Sequence, residues 1–350
     1  MCDLPVYPIS RRPAGFNAHS GMDGICRALH VVPFCIPETW TKLQKRSWTA
    51  GDWLRKWGNQ WYGSEWNALV PLWDERKILH MLPKRIPHIV HWLWGEFAAP
   101  KHAEAYRARR GKVVVSVHCS ARRWESVWRR PNGYAHADMV VLTSESQRPF
   151  VEQNVPSERV RRIPLGVECD HFTPGVRQAR KRNRLRLFLF GNTERDHAFA
   201  AAVAKRLPAD RFEWRIRTMA PEKCLYDSIP CITMLPRLSD EEMLEEYRQA
   251  DLLCMPMLDS AANDVLLESM ACGTPVMTNR VGGVPEYVAD DSNVVMPADA
   301  SASDWADRLL ALERNRDGLD AMRGPTRQWA KHFDWGIIAE DYRAMYRDLE

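Results

Sequence analysis

Residues 251–290 read DLLCMPMLDSAANDVLLESMACGTPVMTNRVGGVPEYVAD, and this stretch decides the fold. Its opening apolar run, DLLCMPM, predicts a buried strand. Asn263 stands where a helix N-cap is expected, and DVLLESMAC predicts the helix that it would cap. Gly273 then stops this helix, and Pro275 forbids its continuation. The stretch therefore begins with a strand followed by a short helix, the repeating pair of an α/β sheet.

A second strand, PVMTN, leads into a glycine pair, Gly282 and Gly283, with Pro285 at the start of the next helix. Helix starts and glycine loops at the carboxyl ends of parallel strands bind phosphates, because free N–H groups and the helix dipole point at the anion. We therefore expect a phosphorylated ligand. Glu268 lies one turn into the first helix, where its carboxylate suits the hydroxyls of a ribose or sugar. The alternative is that Glu268 is a solvated helix residue.

Outside this stretch, short apolar runs alternate with helix-sized segments from residue 86 onward. Runs of this length between helices indicate parallel strands in βα units. The runs are IPHIVHWLW, KVVVSVH, DMVVLTS, VRRIPLGV, LRLFLFG, FEWRIRTM, ADLLCMPM, TPVMTN and NVVMP. The expected fold class is therefore α/β.

Residues 171–184 interrupt the alternation with a proline, a glycine and a run of charges, and LRLFLFG then restarts it. We therefore expect an N-terminal lobe at 1–170, a basic linker at 171–184 and a C-terminal lobe at 185–334. Residues 335–350 predict a final amphipathic helix. Its apolar residues at helical spacing are Ile338, Tyr342, Met345 and Tyr346.

The composition is that of a globular protein, with 45% hydrophobic and 27% charged residues in a chain of 350, long enough for two domains. No apolar run approaches the roughly 20 residues of a membrane-spanning helix, and the N-terminal stretch lacks the plan of a secretion signal. A cytoplasmic location is therefore expected. The nine cysteines are odd in number and never spaced as CxxC, which favours reduced thiols.

The net charge of +4 is modest, but one short stretch is strongly basic. It contains Arg177, Arg180, Lys181, Arg182, Arg184 and Arg186. A solvated linker is one interpretation, and an anionic surface or nucleic acid is the other. Because no zinc-finger spacing, helix-turn-helix or aromatic RNA-binding signature accompanies the run, no nucleic-acid partner is expected.

The segment LLESMACGTPVMTNRVGGVPEYV resembles a block of the retaining GT-B glycosyltransferases, the family 4-like or group 1 enzymes. The family block reads Glu-Ala-Met-Ala-x-Gly-x-Pro-Val, followed by Gly-Gly-x-x-Glu. RRIPLGVECDHFTP is similar to the family's Ile-Pro-Asn-Gly-Val-Asp and Phe-x-Pro at the lobe junction, and ADMVVLTSESQR to the strand before it. The resemblance covers about residues 135 to 350, whereas residues 1 to 134 match loosely.

The resemblance implies a GT-B fold, with two Rossmann-like lobes that face a central cleft and a C-terminal helix that packs back toward the first lobe. It assigns Glu268 to the ribose hydroxyls of a nucleotide, and Gly191 to the glycine near the phosphates. The remaining donor-binding positions that it implies are Asp259, Ser260, Ala262, Asn263, Asp264, Val265, Gly282 and Gly283.

The resemblance also implies a catalytic set, which is His118, Arg195 and Glu268. Arg195 follows Gly191 at a spacing where the family often keeps a basic residue, and a guanidinium there would stabilise charge on the leaving diphosphate without a metal. The alternative for Arg195 is a salt bridge with Asp196.

His118 ends the strand KVVVSVH, where the family often carries a histidine that faces the transferred sugar; the alternative is a structural histidine. The loop AHSGMDG, with Gly21 and Gly24, stands where related enzymes place a glycine loop near donor and acceptor.

The chain departs from the family at Ser260, where a second Glu usually holds hydroxyls of the donor sugar. Asp259 offers a carboxylate one residue earlier, and Asn263 offers a side-chain amide. Either is expected to replace the missing contact.

The function implied is transfer of a sugar from a nucleotide-diphosphate sugar to an acceptor hydroxyl with retention, in glycan or glycolipid synthesis. No cofactor and no metal are expected, and no two aspartates are separated by one residue as in metal-dependent single-domain transferases. The alternatives are a GT-B-fold sugar epimerase or phosphorylase, or a catalytically silent nucleotide-sugar-binding subunit. A dehydrogenase or P-loop ATPase is excluded by the absence of G-x-G-x-x-G after the first strands and of GxxxxGK[ST].

Tryptophan is unusually frequent, with 15 residues in 350, and it is concentrated in the segment RSWTAGDWLRKWGNQWYGSEW. Trp53, Trp57 and Trp61 repeat every four residues, so on a helix they form one stripe. Packing of this stripe in the core of the first lobe is one interpretation. The other is that the stripe and its basic neighbours dock a glycan or lipid-linked acceptor at the inner membrane face.

Overall fold

The computed structural model describes residues 4–10, 18–35, 72–96, 102–128, 133–176, 184–219 and 222–350. Internal contacts divide the chain into two compact units. The second unit is Val167–Asp334, with a short segment that ends at His19. The first unit is the rest of the chain before Val167, together with Trp335–Glu350. Each unit is built on a six-stranded sheet whose pairings are all parallel, which confirms the α/β class.

The sheet of the first unit has the strand order β2-β1-β3-β4-β5-β6. Its strands are β1 (Val6–Ser10), β2 (Phe34–Cys35), β3 (His88–Trp92), β4 (Gly111–Val117), β5 (Met139–Leu142) and β6 (Val160–Arg162). The helices that precede the second unit are α1 (Gly24–Ala28), α2 (Leu72–Met81), α3 (Ala103–Arg107), α4 (Trp124–Val127) and α5 (Arg148–Val151). Consecutive residues of β4, such as Val113, Val114 and Val115, are fully buried, so both faces of this sheet are covered.

The sheet of the second unit has the order β12-β11-β10-β7-β8-β9. Its strands are β7 (Leu185–Phe190), β8 (Phe212–Arg217), β9 (Ile232–Met234), β10 (Leu252–Cys254), β11 (Val276–Asn279) and β12 (Val294–Met296). The helices are α6 (His197–Ala204), α7 (Asp240–Gln249), α8 (Asp264–Ala271), α9 (Val284–Tyr287), α10 (Ala302–Arg314), α11 (Arg316–Ala321) and α12 (Arg323–Ala330). Helix α7 begins with a capping box in which Ser239 and Glu242 satisfy each other's backbone N–H groups.

Each sheet contains a point where the strand order reverses. In the second unit the chain runs outward from β7 through β8 to β9, and then returns to β10 on the other side of β7. In the first unit the same reversal falls between β1 and β3. Open α/β sheets bind ligands at the carboxyl ends of the strands that flank such a point. The residues after β1, β3, β7 and β10 are therefore the candidates for a functional site.

The last helix, α13 (Trp335–Asp348), belongs to the first unit, as the fold class predicted. Its apolar stripe is buried as predicted, and the Tyr346 hydroxyl lies 2.7 Å from Nδ1 of His91 in β3. The indole of Trp335 lies against Gly24 and Gly166, where a Cβ atom would come within 2.0 Å and 2.4 Å of the ring. Side chains larger than hydrogen are therefore excluded at both glycines.

Candidate functional site

Three loops meet at the reversal point of the second sheet, and they follow β7, β10 and β11. Backbone hydrogen bonds connect the first two, because Leu258 N donates to Glu194 O at 2.9 Å and Asp196 N to Pro256 O at 2.9 Å. Asn279, at the end of β11, connects the second and third. Its amide accepts from Met257 N at 2.8 Å and donates to Met257 O at 2.9 Å. The sequence-predicted residues of the second unit are thereby brought to one edge of the sheet.

The glycine pair closes tightly on the loop after β10. Gly283 N donates to Ser260 O at 2.6 Å. Gly282 has a φ of +47°, and a Cβ atom there would lie 2.2 Å from Oδ1 of Asp259 and 2.2 Å from Ser260 O. Both the backbone conformation and the contact therefore require glycine at 282. The glycine pair is therefore packed tightly on the loop after β10.

Arg195 lies at the centre of the three loops. Its guanidinium donates to Phe190 O at 3.1 Å, Thr193 O at 2.6 Å and Asn263 Oδ1 at 3.2 Å. Gly191, with a φ of +97°, lies directly under this group, and a Cβ atom there would be 3.1 Å from the guanidinium. Three bonds in fixed directions hold the cation at the edge of the sheet.

Arg195 remains charged at neutral pH. Burial lowers the pKa of Arg195 to about 10, although the carboxylates of Asp264 and Glu268 act in the opposite direction. The alternative of a salt bridge with Asp196 is wrong, because Asp196 instead caps α6 by accepting from Phe199 N at 2.9 Å. A cation is thus maintained beside the start of α8.

Helix α8 begins as the sequence predicted. Asn263 is its N-cap, and its side-chain oxygen accepts from Val265 N at 3.1 Å. Among the described residues, none accepts a hydrogen bond from the backbone N–H of Ala262 or Asn263. These donors and the positive end of the helix dipole lie beside the Arg195 guanidinium, an arrangement that suits an anion.

Glu268 is buried, with 4% of its surface exposed, so the interpretation as a solvated helix residue is wrong. The Tyr247 hydroxyl donates to Oε2 of Glu268 at 2.7 Å. Burial, together with the neighbouring Glu268 carboxylate, raises the pKa of Tyr247, which keeps the phenol protonated and a donor. The hydrogen bond from Tyr247 thereby fixes the orientation of the Glu268 carboxylate.

Asp259 and Ser260, where the chain departs from the family pattern, are both buried. Oδ1 of Asp259 accepts from Ser260 N at 2.7 Å, which fixes the carboxylate in its own loop. The amide oxygen of Asn263 is already shared by Val265 N and Arg195. Both expected replacements for the missing Glu, Asp259 and Asn263, therefore already take part in hydrogen bonds within these loops.

In the first unit, His118 directly follows β4 and is paired with Glu96, which follows β3. Nδ1 of His118 lies 3.2 Å from Oε2 of Glu96. The backbone N–H groups of His118 and Cys119 both donate to Oε1 of Glu96, and the bond from Cys119 is 2.8 Å long. The imidazole also packs on the ring of Trp94 at 5.1 Å. His118 is therefore a strand-end histidine with a carboxylate partner, and not an isolated residue.

The two glycines of the AHSGMDG loop have structural explanations. Gly21 has a φ of +78° and accepts a backbone hydrogen bond from Gly24 N at 3.2 Å in a tight turn. Gly24 has no side chain, and the indole of Trp335 occupies the space where a Cβ atom would lie. Trp53, Trp57 and Trp61 lie outside the described residues, as does most of the basic run.

Sequence reasoning did not identify Glu96, Tyr247 or Asn279. Glu96 and Asn279 carried a usable signal, since each lies at the end of a predicted strand, where His118 was also found. Tyr247 carried none, because it is one apolar position of an ordinary amphipathic helix.

Within the described ranges, no helix has the length and apolar character needed to cross a membrane. In the same residues, no group of three or more His, Cys, Asp or Glu side chains is arranged to hold a metal ion.

Comparison with known proteins finds a family whose model matches most of the second unit. The family model for glycosyl transferases group 1 matches residues 167–315. The D-inositol 3-phosphate glycosyltransferase of Corynebacterium jeikeium is 26% identical over 247 residues, which are 61% of this chain and 58% of that protein. The Mycolicibacterium smegmatis protein of the same name is 27% identical over 239 residues, covering 60% and 52%. The chain thus spans a little over half the length of these curated relatives.

Solved structures show the same fold over nearly the whole chain. Sucrose-phosphate synthase from Thermosynechococcus elongatus superposes with a TM-score of 0.72 at 15% identity, covering 99% of each chain. Anabaena HepE, in complex with UDP and glucose, superposes with a TM-score of 0.70 at 14% identity, covering 99% of this chain and 100% of that one. Residues 167–315 are therefore similar to the glycosyl transferases group 1, and the fold of the chain is the GT-B fold.

Proposed function

We propose that the chain is a glycosyltransferase that transfers a sugar from a nucleotide-diphosphate sugar to an acceptor hydroxyl with retention of configuration. The observation that carries the proposal is the grouping of Arg195, the Asn263-capped start of α8 and the Glu268–Tyr247 pair at the reversal point of the second sheet. The names of the relatives support it, since they are glycosyltransferases.

Each group has a distinct role in this proposal. The guanidinium of Arg195 and the backbone N–H groups of Ala262 and Asn263 bind the diphosphate and stabilise the negative charge that develops on it as it leaves the sugar. Glu268 accepts hydrogen bonds from the ribose hydroxyls. Asp259 accepts one from the donor sugar, and His118 bonds a hydroxyl of the substrate. The leaving phosphate takes the acceptor's proton in a same-face attack, so no strong protein base is required.

A panel of donors tests the proposal. UDP, GDP, ADP and their hexose conjugates should raise the melting temperature if they bind, because a ligand at 100 times its Kd adds about 2.7 kcal/mol of stability. Release of the free nucleotide from the stabilising donor then measures turnover.

Turnover should persist in excess EDTA, since Arg195 and the helix start replace the cation. Binding without any release would identify a silent binding subunit, and turnover restored only by magnesium or manganese would contradict the metal-independent mechanism.

The acceptor in this proposal is a glycan or lipid-linked glycan, and residues 45–66 bind it at the inner membrane face. Wild type should co-sediment at low salt with vesicles that contain anionic phospholipid, and much less with neutral phosphatidylcholine, because basic side chains flank the indoles. A triple variant, Trp57→Ala with Arg55→Glu and Lys56→Glu, should remain in the supernatant. If wild type also fails to bind, core packing becomes the better account of the tryptophans.

A further inference from the structure

The carboxylate of Glu96 controls which nitrogen of His118 carries a proton. Glu96 is 1% exposed. Its burial raises the pKa of Glu96, but the His118 side chain and the N–H groups of His118 and Cys119 together lower it below its ordinary value. An ionised carboxylate can only accept hydrogen bonds, so Nδ1 of His118, 3.2 Å from Oε2, must be the donor. In the neutral ring, Nε2 is then an acceptor.

The acceptor nitrogen has no hydrogen-bond partner among the residues that the structure describes. Nε2 of His118 is a buried atom that no described residue contacts by a hydrogen bond. A buried nitrogen without a partner costs about 1–3 kcal/mol, so such groups are usually satisfied. The side chain of His118 as a whole is 16% exposed, so the ring lies close to the surface at the carboxyl end of β4.

The other titratable groups near the imidazole are uncharged and do not change the hydrogen bonding of His118. His91 lies in the neighbouring strand, and burial lowers the pKa of His91 to about 3, so it stays neutral. Burial, followed by the effect of Glu96, raises the pKa of Cys119 well above its ordinary value, so the thiol keeps its proton. Glu96 is therefore the charged partner that determines the hydrogen bonding of His118.

We infer that Glu96 is a positioning residue: it fixes His118 in the tautomer with a proton on Nδ1, and so presents Nε2 as the acceptor for a hydroxyl of the substrate. This inference rests on the proposed function for the identity of the hydroxyl. The tautomer itself is a property of the free protein.

Substitution Glu96→Gln should reverse the tautomer. Oε1 accepts from two backbone N–H groups, so the amide oxygen of glutamine must take that position. The amide NH2 group then faces Nδ1 of His118. Because two donors cannot face each other, the proton moves to Nε2 and the substrate loses its acceptor.

The first unit contains a matched control. Glu75 holds His102 in the same way, with His102 N 3.2 Å from Oε1 and Nδ1 3.1 Å from Oε2. Glu75 is buried, and this pair lies outside the proposed site. Glu75→Gln should therefore reverse the tautomer of His102 and leave turnover unchanged.

Long-range proton–nitrogen NMR of protein with ¹⁵N-labelled histidine measures both tautomers, with assignment by loss of signals in His118→Gln and His102→Gln. Wild type should show a protonated Nδ1 and a bare Nε2 at His118. The Glu96→Gln protein should show the reverse, without affecting His102. A protonated Nε2 in wild type would overturn the inference, and this measurement does not depend on the variant's stability or on any activity.

Turnover of the donor found in the panel gives the second readout. In Glu96→Gln, kcat/KM should fall by roughly 10- to 100-fold, the value of a hydrogen bond that leaves a group unpaired, while the Kd of the free nucleotide stays the same. A reversed tautomer with unchanged kcat/KM would overturn the role of Glu96 and leave the proposed function intact. If no donor is turned over by wild type, the proposed function fails, and the tautomers still decide whether Glu96 fixes His118.

Discussion

Replacing Arg195 with methionine is expected to lower kcat by about 100- to 1000-fold, the loss seen when one preorganised donor to a developing charge is removed. The guanidinium is held by three hydrogen bonds, to Phe190 O, Thr193 O and Asn263 Oδ1, so it needs no rearrangement as the diphosphate departs. Methionine keeps similar volume without the charge. Steady-state release of the nucleotide measures the effect, and a melting curve verifies the fold.

Two further variants make this result specific. Arg195→Lys keeps a charge but cannot make the same three bonds, so its kcat should also fall, although less than that of Arg195→Met. Arg206→Met removes an exposed arginine after α6 and should leave kcat unchanged. A folded Arg195→Met protein with nearly wild-type turnover would remove this cation from the mechanism.

The sequence predicted the strands from β3 onward well, with one exception, because most of them are buried on both faces and therefore form continuous apolar runs in the sequence. The exception is β9, a three-residue edge strand that is only partly buried. β2 is shorter still, and no periodicity can be read from two residues. β1 lies before residue 86, where the alternation of apolar runs and helix-sized segments begins, and it contains Pro8, which is unusual inside a sheet.

The grouping of the second unit's candidate residues could be predicted because they lie in one continuous stretch after β10, apart from Gly191 and Arg195 after β7. What could not be predicted was the pairing of side chains distant in sequence. A salt bridge with its neighbour Asp196 was the alternative for Arg195, but the loop after β7 turns the guanidinium toward Asn263. Likewise, Glu96 meets His118 only because β3 and β4 are adjacent in the sheet.

Glu268→Gln is expected to weaken binding of the free nucleotide by about 1.5–3 kcal/mol, the value of hydrogen bonds to a charged group. Tyr247 donates to one carboxylate oxygen at 2.7 Å, so the amide oxygen of glutamine will remain there, and the NH2 group will take the place of Oε1. The ribose hydroxyls would then meet a donor in place of an acceptor. Isothermal titration with the nucleotide found in the panel measures the loss.

The size of the loss separates a binding role from a purely structural one. If Glu268 served only to satisfy Tyr247, glutamine would still accept that bond, and the Kd of the nucleotide would not change. Glu241→Gln, an exposed position on the same helix as Tyr247, provides the control for a neutralised carboxylate in this unit. A deoxyribose nucleotide adds a second comparison. It lacks the 2′-hydroxyl, so Glu268→Gln should weaken it less than the ribonucleotide, and an equal loss for both would show that Glu268 does not bind that hydroxyl.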